Sequence, residues 1–216
     1  MRTRRLLATT AAAAMSLSLV AAQEAPTTID ATETFYISAG CPTDATGQCT
    51  STRWLGKVSG DATSNFITAI TPVDEVLHQV DGSINWRDYA SDHTFADYLL
   101  DVDRDLGVTV TLSSSAQAGA GAMVTVHARV KLRVVGADGS ASNETLTAEP
   151  QVINAMTTLD GPVPVEFALD LPAEWAGHTL DRMTVEVAVH GLNVQNGYID
   201  QQGGSPVTVP HIIVED

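Results

Sequence analysis

Three aspartates at alternate positions, in Asp101-Val102-Asp103-Arg104-Asp105-Leu106-Gly107, come nearest of any segment in this chain to a metal-binding motif. Alternating carboxylates open many calcium loops, because Ca2+ gathers roughly six to eight oxygen ligands. An EF-hand also needs glycine at the sixth loop position and a bidentate glutamate at the twelfth. Here glycine comes seventh and the twelfth position is Leu112. A calcium ion held outside an EF-hand, at a strand end, is the cofactor such a cluster would take. In the rival reading Asp101, Asp103 and Asp105 line the wet face of a strand and its turn and bind no ion.

A second row, His127, Arg129, Lys131 and Arg133, repeats every two residues and gathers scarce positive charge on one strand face. Its partner is either internal or external. Internally, acids on a neighbouring strand, Asp101 and Asp103 or Glu186, would form a cross-strand charge ladder. Externally, the row would meet an acidic cell-wall polymer or a partner protein.

Aromatic side chains decide sugar binding, since pyranose faces stack on exposed rings. Ser83-Ile84-Asn85-Trp86-Arg87-Asp88-Tyr89 is the richest patch, and Trp86, Arg87 and Tyr89 are the ligand-binding candidates for a glycan. Trp86 and Tyr89 plugging the open end of a sandwich would leave the same sequence signature. The histidines show no metal-ligand spacing; His93, beside Asp92 and near Asp97, is the one with local acidic company. Gly-x-Ser-x-Gly, His-Glu-x-x-His and phosphate-cradling glycine motifs are absent from the sequence. No catalytic residue is assigned, and a hydrolase would need a site dispersed along the chain.

These candidates need a scaffold, and the periodicity names it. Over 123–135, Val124, Val126, Ala128, Val130, Leu132 and Val134 alternate with Thr125, His127, Arg129, Lys131 and Arg133, which is a long strand with one buried face. The stretches 106–113, 163–170 and 183–190 alternate in the same way. Weaker strand signals lie at 34–38, 54–58, 65–70, 98–102, 144–153 and 207–214. Helical turns are expected at 74–80 and 92–99, and at 172–177, where Gly177 ends the turn. The Ser-, Ala- and Gly-rich segment 113–122 reads as a hairpin tip. About ten short strands separated by turn signals predict a mainly β fold: an antiparallel β-sandwich of jelly-roll or Greek-key type with one or two short helical turns.

The chain has 216 residues and opens with Met1-Arg2-Thr3-Arg4-Arg5, an alanine-rich apolar run, then Val20-Ala21-Ala22-Gln23. That order of positive, apolar and small residues predicts a signal peptide over 1–22, cleaved near Gln23. The arginine pair also partly resembles a twin-arginine export signal. No later apolar run has spanning length, so no membrane span is expected after cleavage. The rest, 23–216, suits one sandwich domain. Cys41 and Cys49, eight residues apart with turn formers between them, are expected to form a disulfide closing a surface loop. Such a short loop contributes on the order of 2–3 kcal/mol.

Acidity bounds the partners. The chain carries 11 Lys+Arg against 26 Asp+Glu, and loss of residues 1–22 removes three arginines and no acid, leaving eight against 26, or −18. Such a charge repels nucleic acid and anionic membranes. In outline the chain resembles exported bacterial sandwich domains, which implies architecture and no activity. The expectation is a secreted or surface-associated, non-catalytic protein that binds at, or builds part of, the cell envelope, with a glycan or cell-surface protein as partner. The alternatives are a carbohydrate-binding module supported by calcium and a hydrolase with a dispersed site.

Overall fold

The computed structural model describes residues 27–38, 54–56, 68–69, 71–72, 84, 86–91, 95, 98–114, 118–154, 160–194, 197–199 and 202–215. The predicted signal peptide, Cys41, Cys49, the 74–80 turn and His93 lie outside them. The described strands in chain order are β1 (Thr27–Ser38), β2 (Trp54–Gly56), β3 (Thr68–Ala69), β4 (Thr71–Pro72), β5 (Arg87–Ala90), β6 (Leu99–Leu100), β7 (Leu106–Ser114), β8 (Ala118–Val135), β9 (Ala141–Thr147), β10 (Gln151–Asn154), β11 (Val163–Leu169), β12 (Thr179–Val194), β13 (Gly197–Ile199) and β14 (Gln202–Glu215). No helix among the described residues is long and apolar enough to cross a membrane.

Mostly antiparallel pairing curls this sheet into two walls of a β-sandwich. In the first wall β8 and β12 pair along most of their length, with β9 and β10 on the other edge of β8 and β5 on the other edge of β12. The second wall runs β1-β14-β7-β11. Short strands join the two. On one side β2 pairs with β1 and with β5; on the other, β6 pairs with both β12 and β14.

Alternation explains which residues fill the space between the walls. Val124, Val126, Ala128, Val130, Leu132 and Val134 of β8 are buried, as are Met183, Val185 and Val187 of β12. They meet Leu106, Val108, Val110 and Leu112 of β7, Val165, Phe167 and Leu169 of β11, and Val207 and Val209 of β14 in one apolar cluster. Phe35 and Phe95 sit in the same cluster with ring centroids 5.2 Å apart. Between β11 and β12, Ala173–Trp175 forms a single 3-10 turn that buries Trp175. Gly177 follows it at φ +79°, a backbone conformation that side chains rarely adopt, and so ends the turn as the sequence predicts.

Two expectations change. The segment 113–122 is not the tip of a hairpin: β7 extends to Ser114, β8 begins at Ala118, and the two strands belong to opposite walls. Small residues there signal a crossover between sheets, which composition alone cannot tell from a turn. The strand expected over 98–102 shrinks to Leu99–Leu100, because a turn at 102–104 follows at once.

Candidate functional site

The outward face of β8, β12 and β5 gathers the charged side chains. Register sets Arg129 opposite Glu186, and Glu186 opposite Asp88, in one row across three strands. The next row toward the β8–β9 turn is Thr145, Lys131 and Thr184; the one after it is Asn143, Arg133 and Arg182. In the other direction His127 faces Ala188, and Thr125 faces His190.

One end of this face is covered. Glu186 is 2 % exposed, and His190 and Thr125 are buried with it, so β12 is buried on both faces from Val185 to Gly191. The Arg129 guanidinium lies 4.1 Å from the centroid of the Trp86 ring, a cation–π contact. Trp86 meets His127 edge-on at 6.1 Å, and His127 meets His190 at 5.5 Å. Glu186 accepts hydrogen bonds from Arg129 Nε and, at 2.5 Å, from Lys131 Nζ. Burial pushes the Glu186 pKa up, but the hydrogen bonds with Arg129, Lys131 and Asp88 outweigh it and hold the carboxyl below its ordinary range. The internal charge ladder is therefore present, with Glu186 as its acid.

The other end is open. Lys131, Arg133 and Arg182 stay in contact with solvent, and Arg182 most of all, with 76 % of its side chain exposed. The regular β8–β12 register carries on to set Arg182 directly opposite Arg133, a like-charge pair that would repel on its own, and a bulge follows between Leu180 and Arg182. Asp181 occupies the bulge and its Oδ2 lies 3.0 Å from Arg133 and 3.9 Å from Arg182. A shallow groove of about 570 Å³ runs over this end, lined by Lys131, Arg133, Asn143, Thr145, Arg182 and Thr184.

The aspartate cluster has a different use. Asp101, 5 % exposed, is buried rather than wet. It accepts hydrogen bonds from Arg104 Nε at 2.5 Å and from the Asp103 amide at 3.2 Å. Arg104 continues to Thr32 Oγ1, the Ala31 carbonyl and the His211 carbonyl, fastening the β6–β7 turn to β1 and β14. Beside it the Tyr98 hydroxyl donates to Glu33 at 2.8 Å, and its ring stacks 4.3 Å from His211. Asp103 and Asp105 are exposed. A hydrogen bond with Asp170, then burial, then the Asp170 charge raise the Asp105 pKa. Asp101 and Asp105 thus turn to different partners, and among the described residues no group of three or more His, Cys, Asp or Glu converges to hold a metal.

The aromatic patch divides too. Tyr89 is 0 % exposed and lies opposite Val185 in the core, so it cannot share a surface with Trp86. Strand alternation is the reason: Asp88 and Ala90 take the outward side of β5 and Tyr89 the inward side. Arg87 is half-buried opposite Val187, on the inward register, and Trp86 is half-buried against Arg129 and His127.

Comparisons of sequence give no relatives. No family model matches the chain, and no curated protein is similar to it. Among solved structures, the fold is similar to the VP2 subviral particle of infectious bursal disease virus, with 10 % identity and TM-score 0.33 over 92 % of this chain and 36 % of that one. It is also similar to the infectious bursal disease viral particle, with 10 % identity and TM-score 0.27 over 93 % of this chain and 57 % of that one. This chain spans little more than a third of the first and under two thirds of the second.

Sequence reasoning named the β8 row and Glu186 but missed Asp181, Arg182, Asn143 and Thr145. Arg182 carried a usable signal: it keeps the parity of Thr184 and Glu186 along the strand. The position of Asp181 beside both arginines depends on the bulge, which leaves no mark in the periodicity.

Proposed function

We propose that this chain is an exported, non-catalytic β-sandwich protein that serves as a binding or structural component at the cell envelope or in the extracellular space. The observation that carries this reading is how two buried carboxylates among the described residues are used. Glu186 is neutralised by Arg129 and Lys131, and Asp101 by Arg104. A general acid or base must keep a proton site facing a substrate. These groups instead face each other and hold strands together. Supporting the binding role, the open end of the β8–β12 face presents charged and hydroxyl side chains over a shallow groove.

Export is tested by fractionating producing cells and determining the N-terminus of the chain recovered outside them. A mature form starting near Gln23 is expected, and retention of the full chain in the cytoplasm would reject the reading. A thermal-melt screen with glycans, cell-wall fragments, calcium and EDTA tests binding; stabilisation by one polymer is expected, since a ligand of the native state raises the melting temperature.

A further inference from the structure

The open groove has a ligand pattern of its own. Its two cross-strand rows are Thr145, Lys131, Thr184 and Asn143, Arg133, Arg182. Cations and neutral hydrogen-bonding groups therefore lie side by side on one surface. Lys131 and Arg133 are two residues apart on one strand face, about 7 Å, and Arg182 lies about 5 Å across on the next strand.

The charge there is incompletely balanced from within. Among the described residues Glu186 contacts both Arg129 and Lys131, and Asp181 contacts both Arg133 and Arg182. Glu144, opposite Leu132 on β9, also lines the groove, where the lining sets this one carboxylate against Lys131, Arg133 and Arg182. Asp88 lies beyond Glu186, on the far side of β12 from the groove. Four of the eight Lys and Arg outside residues 1–22 thus collect on one face of a chain with 26 acids.

We propose that the groove lined by Lys131, Arg133, Asn143, Thr145, Arg182 and Thr184 binds a segment of acidic polysaccharide. The sugar carboxylates meet Lys131, Arg133 and Arg182, and the hydroxyls meet Asn143, Thr145 and Thr184. Alternating carboxylate and hydroxyl groups match this grid. An acidic peptide would offer Asn143, Thr145 and Thr184 only its backbone amides, and poly-glutamate is the probe that separates it from a sugar polymer; a nucleic acid would find no ring in the groove lining on which to stack a base. Excess negative charge over the rest of the molecule repels the polymer at long range, so recognition is short-range and the encounter slow at low salt. The inference names the ligand class for the binding role proposed above and rests on it.

The test is titration calorimetry of the full chain with oligogalacturonate, with its methyl-esterified form, and with poly-glutamate. Oligogalacturonate is expected to bind, and the other two to bind at least about tenfold more weakly. Arg182→Gln, at an exposed position, is expected to weaken binding by about three- to fivefold with an unchanged melting temperature. Thr145→Ala is expected to weaken it by a smaller factor. Lack of binding, equal binding of the ester, or indifference to Arg182→Gln overturns the proposal, and equal binding of poly-glutamate overturns it in favour of an acidic peptide. Cell fractionation reads the export role separately, so failure of the groove and failure of the envelope assignment give different results.

Discussion

The two ends of the β8–β12 outward face carry the same kinds of side chain and use them in opposite ways. At one end Arg129 is capped by Trp86 and joined to a buried glutamate; at the other Arg182 stands in solvent with a distant aspartate. The difference is cover. Where a ring excludes water, an ion pair is strongly held and costly to break, whereas in water the same pair contributes little and leaves the cation available to a ligand. One strand pair therefore has a structural half and a receptive half, and the boundary falls at Lys131, which touches Glu186 and lines the groove.

The strongest test of this contrast is Glu186→Ala. It removes the carboxylate that Arg129 meets under Trp86, and a loss of about 2–4 kcal/mol in urea unfolding is expected. The pH dependence follows from the depressed pKa of Glu186. Its contribution is fully present above the ordinary carboxylate range and is lost as pH falls through the lower folded value. Acid should therefore destabilise the wild type more than the variant, and parallel curves would contradict the pairing. Next in size, Trp86→Ala should cost about 1–2 kcal/mol. A double-mutant cycle with Arg129→Ala should show coupling, and strict additivity would mean that the ring does not cap the cation.

At the open end, Arg182→Gln should change stability by no more than about 0.5 kcal/mol. A loss comparable to that of Trp86→Ala would erase the distinction between the two ends. The smallest effect is expected at Asp105→Asn. Its raised pKa means that the folded chain holds that proton more tightly, so the ionised group opposes folding at neutral pH and ceases to as pH falls. The variant should melt slightly higher than wild type at neutral pH, with the gap closing in acid.

What the sequence made legible was the facing of strands. The alternations at 106–113, 123–135, 163–170 and 183–190 appear as β7, β8, β11 and β12 with the expected residues inward. Periodicity assigns a face to a residue, not a neighbour to a strand. Asp101, Asp103 and Asp105 look like one row in sequence, yet the β6–β7 turn separates them and buries Asp101 on Arg104. Trp86 and Tyr89 look like one patch, yet β5 divides them between surface and core. Pairing across β8, β12 and β9 creates the groove, and it depends on contacts between residues about fifty positions apart, such as Arg133 and Arg182 or Lys131 and Thr184.

The pairing of β1 with β14 bears on how the molecule comes into being. The first described strand takes its longest partner from the last, from Thr27 with Glu215 to Ser38 with Gln202. A ribosome making this chain must finish almost all of it before the second wall can close. Strand pairs so distant in sequence form slowly, because a long loop must be closed before any contact rewards it. Throughout synthesis the chain stays open at that seam, and the sheet seals there only once β14 has been made.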